Sequence, residues 1–307
     1  MSDATYARRT TIFVEDAEIL AHEAFAARQH VLRVQAPRCA RHATPGSFAH
    51  LRCDPALPMR RPLSIMRTDP EAGWVEFLYK VVGTGTRALA GRRPGERLNL
   101  LGPIGRGFET RPERPRRLLI GGGVGIPPLI FLAETLHRSG ADAATLVLMG
   151  SETEFPFTAR PSKILVPGMP DGVIAALPLL DDQGIPSRLA SGRGEPGCHP
   201  GHVTELAGHW LAALAPEALG EVEVFACGPS AMLRAGAALA ARFEVPCQVS
   251  LEEFMACAVG GCAGCAVPVR GPAGVVMKRV CVDGPVFDAH DVFDGASAGQ
   301  GPPSGRT

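Results

Sequence analysis

Excess charge, long apolar runs and aromatic side chains are what this 307-residue chain lacks. Lysine plus arginine and aspartate plus glutamate number 31 each, so the net charge is zero. Binding nucleic acid or an anionic membrane through an overall field needs a cationic excess, and there is none. Lysine itself is scarce, with Lys80, Lys163 and Lys278 the only three, so arginine supplies almost every cation. The arginine-rich run from Arg87 to Arg117 is broken by Gly, Pro and Glu and lacks interleaved aromatics. It reads as a solvated face or a contact with an acidic partner. The nearest approach to the roughly 18 apolar residues that cross a bilayer is GVIAALPLL, which is too short. The first residues, MSDATYARRTTIFVEDAEIL, have no apolar core and turn acidic early, which argues against secretion and for a cytoplasmic protein. Ser151 and Ser191 have no G-x-S-x-G context and the histidines show no H-E-x-x-H spacing, so hydrolase chemistry has no support.

Cysteine is present in an odd number, nine. Without a secretory signal that argues for reduced thiols, not a disulfide framework. Cys39, Cys53, Cys198, Cys227 and Cys247 are scattered. Cys257, Cys262, Cys265 and Cys281 follow the spacing C-x4-C-x2-C-x15-C. Structural zinc favours paired C-x2-C knuckles, and the bacterial four-iron run C-x2-C-x2-C is absent. A C-x4-C-x2-C run with a distant fourth cysteine is the plant-type two-iron spacing. The small residues of CAVGGCAGC let a loop wrap an inorganic core with its backbone N–H groups inward. These four cysteines are the candidate ligands of a [2Fe–2S] cluster. A one-electron centre calls for a flavin to exchange with hydride pairs.

Three folding patterns follow one another. TTIFVEDAEIL, HVLRVQAP, GSFAHLRC, PLSIMRT, GWVEFLYKVVG and ERLNLLGPIG alternate short apolar runs with turns, which predicts an antiparallel β-barrel over residues 1–112. Over 113–245, LLIGGGVG, ATLVLMGS and EVEVFACGP read as strands, with KILVPG and GVIAALPLL as further candidates. IPPLIFLAETLHRSG and AMLRAGAALAARF read as helices, so this part is a doubly wound parallel sheet. Residues 246–290 carry the cluster cysteines with two short strand candidates, and 291–307 read as a disordered tail.

Two motif groups sit where ligands bind. Gly121, Gly122, Gly123 and Gly125 form G-G-G-V-G between a strand and a helix, where a backbone turn and helix N-terminus can meet a diphosphate. Cys227, Gly228 and Pro229 follow another strand, at the carboxyl edge where such sheets bind ligands, and suit a nicotinamide wall. In the barrel, Arg61, Pro62, Leu63 and Ser64 join a fork-shaped cation to a hydroxyl. Lys80, Gly85 and Thr86 of YKVVGTGT add a diphosphate cradle. Together they favour FAD.

In this order, R-P-L-S, Y-K-V-V-G-T-G-T, G-P-I-G-R-G-F, G-G-G-V-G-I-P-P-L and C-G-P resemble the ferredoxin–NADP reductase superfamily. S-L-E-E-F-M-A-C-A-V-G-G-C-A-G-C and R-V-C-V-D-G-P-V-F narrow the resemblance to electron-transfer subunits of NAD-dependent dihydroorotate dehydrogenases. It implies FAD at Arg61–Ser64, Leu78, Tyr79, Lys80, Gly85 and Thr86, and NAD at Gly121–Gly125 and Cys227–Pro229. It also implies a [2Fe–2S] cluster on Cys257, Cys262, Cys265 and Cys281, and an FMN-bearing catalytic partner in a hetero-oligomer. Electrons would pass from the partner through the cluster and FAD to NAD, serving pyrimidine biosynthesis. Ala258 departs from the glycine common after the first cluster cysteine, and is expected to be tolerated with a backbone that is not left-handed. Residues 151–209 are longer and less familiar than the pattern leads one to expect. Glu152 and Glu154 after ATLVLMGS favour NAD over a 2′-phosphate. A self-standing NAD(P)H reductase of ferredoxin-like or hydrogenase partners, and a redox-sensing regulator without FAD, stay open as alternatives.

Overall fold

A computed structural model describes residues 11–141 and 144–293. Six strands close the barrel: β1 (Phe13–Phe25), β2 (Gln29–Gln35), β3 (Phe48–Arg52), β4 (Arg61–Asp69), β5 (Trp74–Lys80) and β6 (Arg97–Ile104). They run β1-β2-β5-β4-β3-β6, with every pairing antiparallel. The period-two pattern sorts the side chains. On β5, Val75, Phe77 and Tyr79 enter the barrel core, while Leu78 packs outward with Leu119, Ile126 and Phe225. Helices α1 (Pro37–His42) and α2 (Thr84–Ala90) add Cys39, Ala40 and Leu89 to that core.

The second unit comprises β7 (Arg116–Gly122), β8 (Ala144–Ser151), β9 (Arg160–Pro161), β10 (Ala175–Ala176), β11 (Ser187–Ser191), β12 (His199–Pro200), β13 (Val222–Cys227) and β14 (Cys247–Ser250). The hairpin β15 (Ala266–Gly271) and β16 (Gly274–Arg279) follows, then β17 (Val286–Asp288). The main sheet has the order β12-β11-β8-β7-β13-β14-β17, parallel except for β17. Helices α3 (Pro127–Arg138), α4 (Pro178–Asp182), α5 (Val203–Ala212), α6 (Pro216–Leu219), α7 (Ser230–Arg242) and α8 (Ala289–Phe293) accompany it. Leu118 and Ile120 of β7 pack with α5 and α7, whereas Leu119 packs with α3 and α4, so the sheet is covered on both faces. Pro127 and Pro128 occupy the first turn of α3, where a missing N–H leaves no bond unmade.

Several expectations change. KILVPG forms no strand, and GVIAALPLL contributes only β10 before entering α4. Gly168 and Gly172 have positive φ there, and the segment is tied down by side chains instead of a ladder. Arg188 donates to the carbonyls of Val173 (3.1 Å) and Ile164 (2.6 Å), and the buried Asp181 accepts from the Ser162 hydroxyl at 2.7 Å. The strand SRLAS, β11, was not expected. Residues 246–290 are interwoven with the sheet, because β14 and β17 are its last two strands, with β17 at the edge, and the cysteine segment is an excursion between them. Of the tail expected from 291, Asp291–Phe293 complete α8, with Val292 and Phe293 packed on the core, and the rest lies outside the described residues. Among the described residues no helix is long and apolar enough to cross a membrane.

Candidate functional site

Arg61, Pro62, Leu63 and Ser64 open β4 beside β3, with Ser64 opposite Phe48 and Pro62 opposite His50. The Arg61 guanidinium lies over Gly85 at the start of α2. A Cβ on Gly85 would stand 2.5 Å from Nε and 2.8 Å from Cζ, so only glycine admits the cation there. Arg61 Nη1 donates to the carbonyls of Met59 (2.9 Å) and Arg60 (3.0 Å). Thr86 Oγ1 accepts the N–H groups of Val82 (3.0 Å) and Gly83 (3.2 Å), which fixes the turn. A held cation, a glycine and a helix start thus converge, as an anionic diphosphate requires.

The rest of this segment divides by face. Leu78 is buried against the second unit, and Lys80 ends the strand half-exposed. Tyr79 is turned into the barrel, where its hydroxyl meets His22 Nε2 at 2.9 Å and its ring stacks on His30 at 5.2 Å. Only its backbone is left on the outer surface. His50 is fully buried, with the backbone of Arg60 and Met255 against its ring. Burial, with the charge of Arg60, pushes its pKa down to about 4, so the ring is neutral.

The glycine turn after β7 serves packing as much as ligand approach. A Cβ on Gly125 would be 2.5 Å from the Cys227 carbonyl and the Gly228 Cα, and one on Gly122 would be 2.5 Å from Met232 Sδ. Gly121 is similarly hemmed by Ile126 at 3.2 Å. Gly123 differs: its φ is +54° and nothing lies within 4 Å, so it faces open space at the sheet edge. The turn and the Cys227–Pro229 motif are therefore pressed together. Cys227 is buried at 1% exposure, and its thiol is pushed well up by burial and then by the charge of Glu252, against a hydrogen bond from Ser250. Glu252 keeps exposed surface, but the protein around its carboxyl desolvates it and raises its pKa. Glu252 lies in the S-L-E-E-F motif, which gives it no role of its own; its charge acts on Cys227 only through the fold.

The loop after β8 holds a second contact invisible in the sequence. Arg193, from the loop after β11, pairs with Glu154 at 2.9 Å and lies 4.0 Å from Glu195. An arginine is therefore present beside the acidic loop after β8, but two carboxylates neutralise it. Glu154, Phe155, Phe157 and Glu195 line a cavity of about 660 Å³ together with Phe25 and Ala26 of the barrel.

The clustered cysteines form two pairs. Cys265 and Cys281 stand with sulfurs 3.4 Å apart, and Cys257 is hydrogen-bonded to the Cys262 thiol. Burial raises Cys257, but the N–H groups of Val259, Cys262 and Gly261 and the Cys262 thiol outweigh it and bring its pKa down to about 7. Gly261 N–H and Cys262 N–H lie 3.2 and 3.4 Å from that sulfur, and Gly264 N–H lies 3.4 Å from Cys262 Sγ. Cys281 is pushed up to about 12 by burial and by Cys265. Among the described residues no three His, Cys, Asp or Glu side chains converge to hold one ion. Two pairs of sulfurs fit a core of two irons better than one tetrahedral ion. Ala258 corrects the expectation made for it: its φ is +56°, left-handed, and its side chain is buried beside Phe48 and Cys265. The scattered Cys39, Cys53 and Cys247 are buried and high in pKa.

A closed barrel, a doubly wound sheet and a cysteine-rich excursion define a reductase of the ferredoxin–NADP reductase type with an iron–sulfur segment. The profile of the iron–sulfur cluster binding domain of dihydroorotate dehydrogenase B matches residues 252–293. The electron transfer subunit of dihydroorotate dehydrogenase B (NAD(+)) from Desulforamulus reducens is 32% identical, over 91% of this chain and 98% of that protein. Its counterpart from Caldanaerobacter subterraneus is 35% identical over 81% and 87%. The chain belongs to this family of electron transfer subunits. A solved NADH-dependent reduced ferredoxin–NADP oxidoreductase superposes with a TM-score of 0.69 at 25% identity, covering 91% of this chain and 90% of that one. The ferredoxin reductase of carbazole 1,9a-dioxygenase shares the fold, with a TM-score of 0.58 at 23% identity over 76% and 67%.

Proposed function

We propose that this chain takes electrons that a catalytic partner subunit removes from dihydroorotate and delivers them to NAD, in the cytoplasm, with FAD and one [2Fe–2S] cluster as resident groups. When bound, FAD supplies the exchange between hydride pairs and the single electrons that an iron–sulfur centre handles. Cys257 with Cys262, and Cys265 with Cys281, would each hold one iron. Arg61, Gly85 and Thr86 would hold the FAD diphosphate, with Pro62, Leu63, Ser64, Leu78, Tyr79 and Lys80 along the flavin. Gly121, Gly122, Gly123 and Gly125 with Cys227, Gly228 and Pro229 would receive NAD, and the 660 Å³ cavity suits its adenosine end.

The chain's own residues prepare these places. Backbone N–H groups hold the Cys257 sulfur toward its thiolate, the form that binds metal. The buried Cys227 excludes water from the wall it forms, and the Glu252 carboxyl, raised in pKa by desolvation, is near enough for its charge to act on that thiol. Cys262 is exposed, and Phe254 (94% exposed), Val275 (64%) and Met277 (63%) leave an apolar surface in the same excursion. That is the kind of patch a partner covers. The pairing of the four cysteine sulfurs in a chain of this family is the observation that carries the reading. The test is co-purification with the catalytic subunit followed by addition of dihydroorotate and NAD. NADH formation that needs both chains supports the proposal. A chain that binds no such subunit and passes NADH electrons to ferredoxin-like acceptors unaided would overturn it.

A further inference from the structure

Between the barrel and the cysteine excursion lies a second cavity, of about 340 Å³. Arg106 of the G-P-I-G-R-G-F loop lines one side, and the proposed cluster ligand Cys281 lines another. The loop is clamped to the chain that follows Cys281. Arg106 N–H donates to the Gly284 carbonyl at 2.6 Å, and Arg106 is bridged to Pro285. Gly105, with φ +96°, leaves no room for a Cβ against Pro285, nor does Gly107 against the Pro45 carbonyl. The position of Arg106 is thus fixed relative to Cys281.

Its charge has no counterpart. Among the described residues the Arg106 side chain makes no hydrogen bond or ion pair, and its Nε is sealed from solvent without a partner. Arg279, two residues before Cys281, is satisfied by Asp283 (3.9 Å) and by the Gly260 carbonyl (2.8 Å). Glu109 also lines the cavity, but it is exposed and forms no pair with Arg106. An unpaired guanidinium whose Nε is sealed from water is less favourable unless an anion stands nearby. A [2Fe–2S] core with four thiolates is such an anion, and it becomes more negative on taking an electron.

We propose that Arg106 is the countercharge of the cluster and favours its reduced form. This inference rests on the cluster reading above. Reduction adds one electron and forms or breaks no bond, so the whole effect of Arg106 is electrostatic. It stabilises the more negative state and holds the midpoint potential up.

The test is a potentiometric titration of the anaerobically purified holoprotein, read from the cluster's electron paramagnetic resonance signal. Arg106→Gln should disfavour reduction about tenfold, which is a fall of about 59 mV for a one-electron couple. Arg106→Glu should lower the midpoint further, and Arg106→Lys, which keeps charge and bulk, should stay near the parent. Unchanged midpoints in the Gln and Glu variants would overturn the inference while leaving the cluster intact. A parent midpoint that moves with inorganic phosphate would also overturn it, because Arg106 would then serve a free anion. Absence of any iron–sulfur signal in the parent would remove the cluster reading and this inference with it.

Discussion

Arg67 on β4 of the barrel donates through Nε to both carboxylate oxygens of Glu134 on α3, at 2.9 and 3.0 Å. Gln183 donates to the same carboxylate at 2.9 Å, and Arg138 reaches back to the Thr68 carbonyl. The side chain of Glu134 is 8% exposed and that of Arg67 22%, so the pair lies inside the seam between the two units. This contact ties β4, the strand proposed to carry FAD, to α3, the helix that follows the proposed nucleotide turn. Glu134→Ala leaves Arg67 with the more distant Glu76 at 3.7 Å. It should cost about 2–3 kcal/mol, at or below the range for a fully buried pair, because Arg67 keeps some solvent. Thermal unfolding of the flavin-loaded protein measures the loss. The rate of flavin reduction by NADH should fall with it.

Ala258 gives a prediction of opposite sign. An alanine in left-handed backbone is strained by roughly 1–2 kcal/mol, and Ala258→Gly removes that strain at the loss of one buried methyl. The net expected gain is about 1 kcal/mol in the cysteine segment. Slower loss of iron to a chelator in the glycine variant would show it.

Removing ligands separates the cysteines by role. Cys262→Ser should abolish the iron–sulfur absorption and partner-driven NAD reduction while FAD stays bound. Cys39→Ser and Cys53→Ser should leave the visible spectrum as it was, since both thiols are buried in the barrel core. Visible spectra of the three purified variants decide this.

Discrimination between NAD and NADP should yield to one substitution. Glu154→Gln releases Arg193 from its 2.9 Å partner, leaving only the more distant Glu195. The freed guanidinium should improve kcat/KM for NADPH about tenfold and change that for NADH little. Parallel kinetics with both nucleotides measure the ratio.

Acid sensitivity follows from His50. Its folded pKa is near 4, below the unfolded value of about 6.5, so the folded state favours the neutral ring. The associated stability is fully present above about pH 6.5 and is lost as pH falls toward 4, by roughly 3 kcal/mol in all. Denaturant melts at pH 7 and pH 4.5 should show the decline, and His50→Leu should flatten it.

Much of this was legible in the sequence because it is local. The apolar run GWVEFLYKVVG between turn signals located β5, and the C-x4-C-x2-C-x15-C spacing singled out four thiols that do fall into pairs. What escaped depends on distant residues or on backbone angle. The charge of Glu252 bears on Cys227, and Arg193 pairs with Glu154, only after the fold brings distant segments together. Arg106 looked like an ordinary loop arginine until the loop was seen clamped to Gly284 and Pro285. GVIAALPLL was ambiguous for another reason: a short apolar run does not distinguish a strand from a buried helical turn, and here it supplies both. The left-handed backbone of Ala258 goes against its residue type, so composition gave no hint of it.

The most direct test is the content of the protein purified without oxygen, measured as iron, inorganic sulfide and flavin per chain. The account predicts two irons, two sulfides and one FAD, with a one-electron paramagnetic signal appearing on reduction. A zinc-bearing or metal-free protein without flavin would contradict it.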